Sequence, residues 1–275
     1  MRMRTDKRRT MTILAAALLV SVSCTSTNRT AEADLVAHQA IYRLELSEKS
    51  PPSRFNGVSG AAVSVIERTC QGWTINEQVV MTMLTNAGGA IDREMIFKAQ
   101  ESADGTYFKF DSKSVTNGNR EAFKGSARRS VGDQVEAEFI QPTPREMPLP
   151  DGTKFYMGMT HWLVELAKSG QRTGETFAFD GTDDEGPNKV TAFILPSKAV
   201  PDVKGDPALL RGPAWTVRLA FFKTGDATAA PEPEFEIQLR LLSNGIVTRF
   251  ELIFDDLIVD QILEDVLPAK DERCS

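Results

Sequence analysis

The sequence predicts an all-β domain with one inserted helix, and three observations carry that prediction. Runs of seven to twelve residues alternate apolar and polar side chains along nearly the whole chain, the period of a half-buried strand. Turn dipeptides separate them: Asn56-Gly57, Asp104-Gly105, Asn117-Gly118 and Asn244-Gly245. Only one stretch, inside Leu149 to Gly186, follows the helical period: Met159, Trp162, Leu163, Leu166 and Ala167 form a single apolar stripe. No low-complexity linker divides the chain, so one domain is expected.

The first 33 residues read as a cleaved signal peptide. Arg2, Arg4, Lys7, Arg8 and Arg9 form a basic start, and Met11 to Val22 is an apolar run too short for a stable membrane span. Two processing sites compete. Ala31-Glu32-Ala33 suits ordinary signal peptidase, giving a soluble periplasmic protein, while Ser21 to Cys24 suits lipoprotein processing, giving a chain tethered through Cys24. The domain is expected over 34–275. Cutting after Ala33 removes six basic and two acidic residues, which moves the formal net charge from −6 to −10. That charge opposes nucleic acid and anionic membrane surfaces as partners.

In chain order, His38 to Glu48 alternates as a strand. Val58 to Arg68 and Trp73 to Leu84 form a hairpin with Cys70 at its tip. Ile91 to Gln100, Tyr107 to Val115, Glu121 to Ser130 and Gln134 to Gln141 continue an antiparallel meander. Pro142, Pro144, Pro148 and Pro150 are expected to end it, since proline cannot donate to a ladder. The helix follows, with Thr160 as the candidate cap and Gly170 as the stop. Glu175 to Phe179 and Lys189 to Leu195 flank an acidic turn, and Pro196 to Pro213 reads as a loop or lid. Ala214 to Lys223, Phe235 to Leu242 and Ile246 to Phe254 resume the meander. Asp256 to Val266 fits strand and helix equally badly. The total is about thirteen strands. A single amphipathic helix among so many strands needs a concave sheet to receive its stripe.

The chemistry-bearing residues are sparse. The two histidines, His38 and His161, lack metal-site spacing, and no nucleophile elbow of the G-x-S-x-G kind occurs. The Asp180 to Gly186 turn fails the calcium-loop pattern at Glu185 and Thr191 and reads as a solvated hairpin. Trp73, Trp162 and Trp215 read as core anchors. No enzyme, cofactor or metal site is expected. After cleavage Cys70 and Cys274 remain, and an oxidising compartment would join them across 203 residues; in a reducing one they would stay as two thiols.

The segments AHQAIYRLEL, TCQGWTINEQ with Cys70, PLPDGTKFYMGMTHWLVELAKSG, FDGTDDEG and the terminal Cys274, taken in order, resemble the EipB family of periplasmic envelope-integrity proteins. The resemblance spans Ala37 to the C-terminus. It implies a single-domain β-spiral, a curved and partly open barrel with the helix in its hollow and one disulfide, matched here by Cys70 and Cys274. It also implies a non-enzymatic role in envelope integrity under stress. The expected function is a monomeric scaffold or adaptor acting through an envelope protein partner. The alternative is a carrier that binds a lipid or lipidated protein beside Met159, Trp162, Leu163 and Leu166.

Overall fold

The computed structural model describes residues 34–130, 132, 134–195, 203–224 and 232–272. The proposed signal peptide and Cys274 therefore lie outside the described residues. Fourteen strands and one helix follow one another: His38–Leu46 (β1), Phe55–Thr69 (β2), Gly72–Thr85 (β3), Ala90–Ser102 (β4), Tyr107–Thr116 (β5), Asn119–Arg129 (β6), Val135–Gln141 (β7) and Arg145–Leu149 (β8). Tyr156–Lys168 (α1) then precedes Thr173–Ala178 (β9), Asn188–Leu195 (β10), Ala214–Lys223 (β11), Phe235–Leu242 (β12), Val247–Phe254 (β13) and Leu257–Pro268 (β14).

All fourteen strands belong to one antiparallel sheet in the order β8-β7-β6-β5-β4-β3-β2-β1-β14-β13-β12-β11-β10-β9. The chain starts at the centre on β1 and steps outward to the β8 edge. The helix carries it across to the opposite edge at β9, and it steps back inward until β14 pairs with β1. A twisted sheet of this width curls on itself, because each strand rotates relative to the last and the rotations accumulate.

The curl brings the two edges together without a continuous ladder. Just before the helix, the backbone N–H of Lys154 donates to Phe177 O at 2.7 Å, and Phe179 N–H donates to Lys154 O at 3.0 Å. Arg145 on β8 donates to Asp184 O, at 2.7 Å, in the turn after β9. Beneath this seam Phe110 meets Phe139 at 5.3 Å and Phe179 at 5.6 Å, both edge-on. The result is the partly open barrel that the resemblance implies, with the helix on its concave face.

Three details differ from the sequence reading. The proline-rich segment does not end the meander: β8 lies within it, and Pro148 is tolerated because β8 is an edge strand with one side free of ladder bonds. The ambiguous last segment is a strand, paired on both sides. The helix starts at Tyr156, four residues before Thr160, whose hydroxyl donates back to Tyr156 O at 3.4 Å from inside the first turns. Thr160 is not the cap. The N-cap residue is Phe155, which offers no side-chain oxygen.

Inside the curl, Leu163, Val164, Leu166, Ala167 and Met157 are buried against inward residues of both halves of the sheet, among them Ile75, Phe108, Val190 and Leu219. Burial on more than one helix face is what an enclosed helix requires, and each fully buried leucine contributes about 1.5–3 kcal/mol. A second apolar cluster runs along the β1–β14 region, from Ala40, Tyr42 and Leu44 to Val259 and Leu263.

Candidate functional site

The helix lies across the concave face and divides it into a filled half and an open half, and carboxylates stand at the helix start. Glu101, at the end of β4, is on the same face as Phe97 and Ala99, because side chains two apart share a face. Its Oε2 accepts the Met157 N–H at 2.7 Å and its Oε1 accepts the Gly158 N–H at 2.9 Å. A carboxylate 55 residues upstream of the helix therefore supplies the cap that the local sequence lacks, in the favourable orientation toward the positive end of the helix dipole. Burial pushes the Glu101 carboxyl up to about 7, against the opposing pull of the two amides and Lys154.

A test of that assignment follows from linkage. The folded chain keeps a proton on Glu101 that the unfolded chain releases above about pH 4.5, so this group's stabilising effect falls as pH rises toward about 7. The loss across the window is ~3 kcal/mol. Because glutamine cannot titrate and resembles the protonated acid, urea midpoints of the wild type and Glu101→Gln should separate as pH rises through that window, the wild type falling, and stay parallel above it. Curves that keep a constant separation would show that Glu101 does not titrate differently in the two states.

A second acid, only partly exposed, sits at the boundary with the open half. Glu77 on β3 accepts the Tyr156 hydroxyl at 2.5 Å and the Ser64 hydroxyl at 3.1 Å, both on Oε1. Burial pushes its carboxyl up, and the nearby Asp180 charge adds to that shift. Tyr156 is held well above the ordinary phenol range by burial and by the Glu77 charge beside it. Tyr42 is raised for the same two reasons, and its hydroxyl donates to Val247 O at 3.0 Å.

Past Glu77 no helix among the described residues covers the concave face. On one wall Met81, Met83 and Ile91 share the parity of Ile75 and are only partly buried. On the other, Phe221 stacks on Phe235 at 4.5 Å, and Phe235 meets Phe254 at 6.4 Å; Phe254 is 44 % exposed. This half of the hollow is lightly covered and largely apolar, with Arg93 on β4 opposite Met81 on the same face.

On the filled side, a cleft of about 900 Å³ opens between the β2–β3 hairpin, the β4–β5 turn and the helix, and is lined by Arg68, Trp73, Glu101, His161, Trp162 and Glu165 among others. The Arg68 guanidinium lies 4.3 Å over the Trp73 ring and donates to Leu35 O. Backbone bonds from Arg68 N–H to Lys270 O (3.0 Å) and from Glu272 N–H to Arg68 O (3.1 Å) bring the C-terminal segment beside the Cys70 hairpin.

The four stripe residues proposed from sequence do not share one surface. Leu163 and Leu166 are buried in the core, Met159 and Trp162 are partly buried, and of the four Trp162 lines the cleft. His38 is buried, with its Nδ1 3.0 Å from Val36 O, and burial lowers its pKa. Trp215 packs against the helix core. Sequence reading missed Glu77 and Glu101. Each stands at an apolar parity position, Glu77 between Ile75 and Val79 and Glu101 after Phe97 and Ala99, and that was the available signal.

Comparison with known proteins agrees with this architecture. No curated protein matches the chain. A crystal structure of a "beta-barrel-like protein of domain of unknown function DUF1849" from Brucella abortus superposes with a TM-score of 0.77 at 24% identity, over 85% of this chain and 98% of that one. The likeness establishes a shared fold. The sequence profile of the EipB-like family matches residues 29–270, most of the chain, and the chain belongs to the EipB-like family.

Proposed function

We propose that this chain is an exported, non-enzymatic periplasmic protein that supports cell-envelope integrity under stress, and that it acts as a carrier for a lipid or lipidated protein. The observation that carries this reading is the open half of the hollow, where apolar side chains on two facing walls remain only partly covered. The site is displaced from the one expected beside the helix stripe, whose Leu163 and Leu166 are already packed. Export, the leader over 1–33 and a Cys70–Cys274 disulfide belong to the same proposal. The Arg68 pairing, which brings the described chain within two residues of Cys274, supports that disulfide.

A second reading, an adaptor acting through protein contacts, is favoured by a different surface. Val80, Leu84 and Ile96 project from the outer face of β3 and β4 and are each more than 40 % exposed. One complementation experiment separates the two. Cells lacking the gene should be sensitive to detergents and envelope-directed antibiotics, and the wild-type gene should restore resistance. A folded Met83→Asp/Phe254→Asp variant should fail to restore it if the hollow carries the function. Full rescue by that variant, with failure of a folded Val80→Asp/Ile96→Asp variant, would replace the carrier by the adaptor; cells that show no sensitivity would overturn both.

A further inference from the structure

The open half of the hollow ends at a carboxylate that the protein leaves half-used. Tyr156 and Ser64 both donate to Oε1 of Glu77, and among the described residues no hydrogen bond is made to Oε2. The side chain is partly exposed, although protein surrounds it. The groups around it are Ser64 on β2, Tyr42 on β1, Phe97 on β4, Tyr156 on α1 and Asp180 beyond β9. None of these is a cation, Asp180 adds a second negative charge, and the cation on the same face, Arg93 on β4, stands four residues along the strand from Phe97, opposite Met81. A carboxylate that protein largely surrounds, with no cationic partner beside it, is poorly compensated, and a ligand cation would supply that partner.

We propose that the open half of the hollow binds cationic amphiphiles, with the ammonium group on Glu77 Oε2 and the alkyl chain between Met81, Met83 and Ile91 on one wall and Phe221, Phe235 and Phe254 on the other. This rests on the carrier reading and adds the chemical class of the head group. Met83 is six residues along β3 from Glu77, so the wall runs about 20 Å from the carboxylate to the mouth, the length scale of a lipid chain. Methionines and phenylalanines suit a flexible chain, because they adapt their packing without demanding polar partners. The head group would be selected by charge, since a hydrogen bond from an ammonium to a buried carboxylate is stronger than one from a neutral hydroxyl.

The test compares three ligands of one chain length, decylamine, decanol and decanoate, titrated calorimetrically into the exported full-length chain. Decylamine should bind about tenfold or more tightly than decanol above neutral pH, with decanoate weakest. Acidification should erase the preference for the amine as Glu77 takes up a proton. Glu77→Gln should erase it at every pH while decanol binding persists. If that variant fails to fold, the pH series on the wild type decides. Equal binding of all three, or an amine preference that survives both acidification and Glu77→Gln, would overturn the head-group assignment and leave the carrier reading intact. No binding of any of the three would remove the carrier reading with it.

Discussion

Replacing Phe110 with alanine is expected to destabilise the fold by about 3–5 kcal/mol, more than any other truncation of a single aromatic side chain in this core. Phe110 is fully buried on the inner face of β5 and touches Phe108, Phe139 and Phe179 with centroid separations of 6.0, 5.3 and 5.6 Å. Its contacts join the β5–β7 half of the sheet to the turn beyond β9, where the sheet curls to meet itself. Two glycines make room for it. A Cβ at Gly181, where φ is +70°, would stand 2.4 Å from the ring, and one at Gly125 would stand 2.7 Å from Cζ and 2.2 Å from Glu138 O. Chemical denaturation should show a lower midpoint for Phe110→Ala, and hydrogen exchange should rise first in β8 and β9. A change below about 1 kcal/mol would mean that the surrounding residues collapse into the space, and that the seam does not depend on this ring.

The second large effect is expected at Cys70. A disulfide to Cys274 would enclose 203 residues, for which the loop-entropy relation gives about 5 kcal/mol as an upper figure. The folded chain already places Asp271 in a bridge with Arg68 and anchors Glu272 there, so closing the loop asks for little further ordering. Protein made in an oxidising compartment should lose thermal stability on Cys70→Ser, and reductant should lower the wild type to the same level. Identical melting with and without reductant would show that the bond contributes nothing to the fold. The C-terminal segment should be the first to become protease-sensitive, because the ladder of β14 with β1 and β13 holds without the bond while residues past Pro268 depend on three backbone hydrogen bonds, to Ala37 and Arg68.

Much of the fold was written locally. Asn117-Gly118 and Asn244-Gly245 carry turns because glycine accepts the positive φ that those turns need, +84° and +90° here. The alternation from Ile91 to Gln100 fixes which side chains face the helix, since a strand has a strict period of two. The apolar stripe of α1 announced an enclosed helix in the same way. Where the reading failed, the deciding partner was distant in sequence. The β8 strand exists because β7 offers it a ladder, although proline propensity argued against it. The helix begins at Tyr156 because Glu101, brought there by the β4–β5 hairpin, satisfies two amides that nothing nearby can reach.

The amino-acid sequence by itself determined most of the element types, the single domain and the membership of a family, because periodicity, turn chemistry and ordered motifs are local properties. The tertiary structure alone decided which half of the hollow is filled, where the two edges meet and which carboxylates are buried, because those outcomes depend on how far a wide sheet has twisted before its ends come into contact. Glu77 illustrates the division. In sequence it is one acid in an alternating strand; in the folded chain the curl places Tyr156 and Ser64 against one of its oxygens on the concave face.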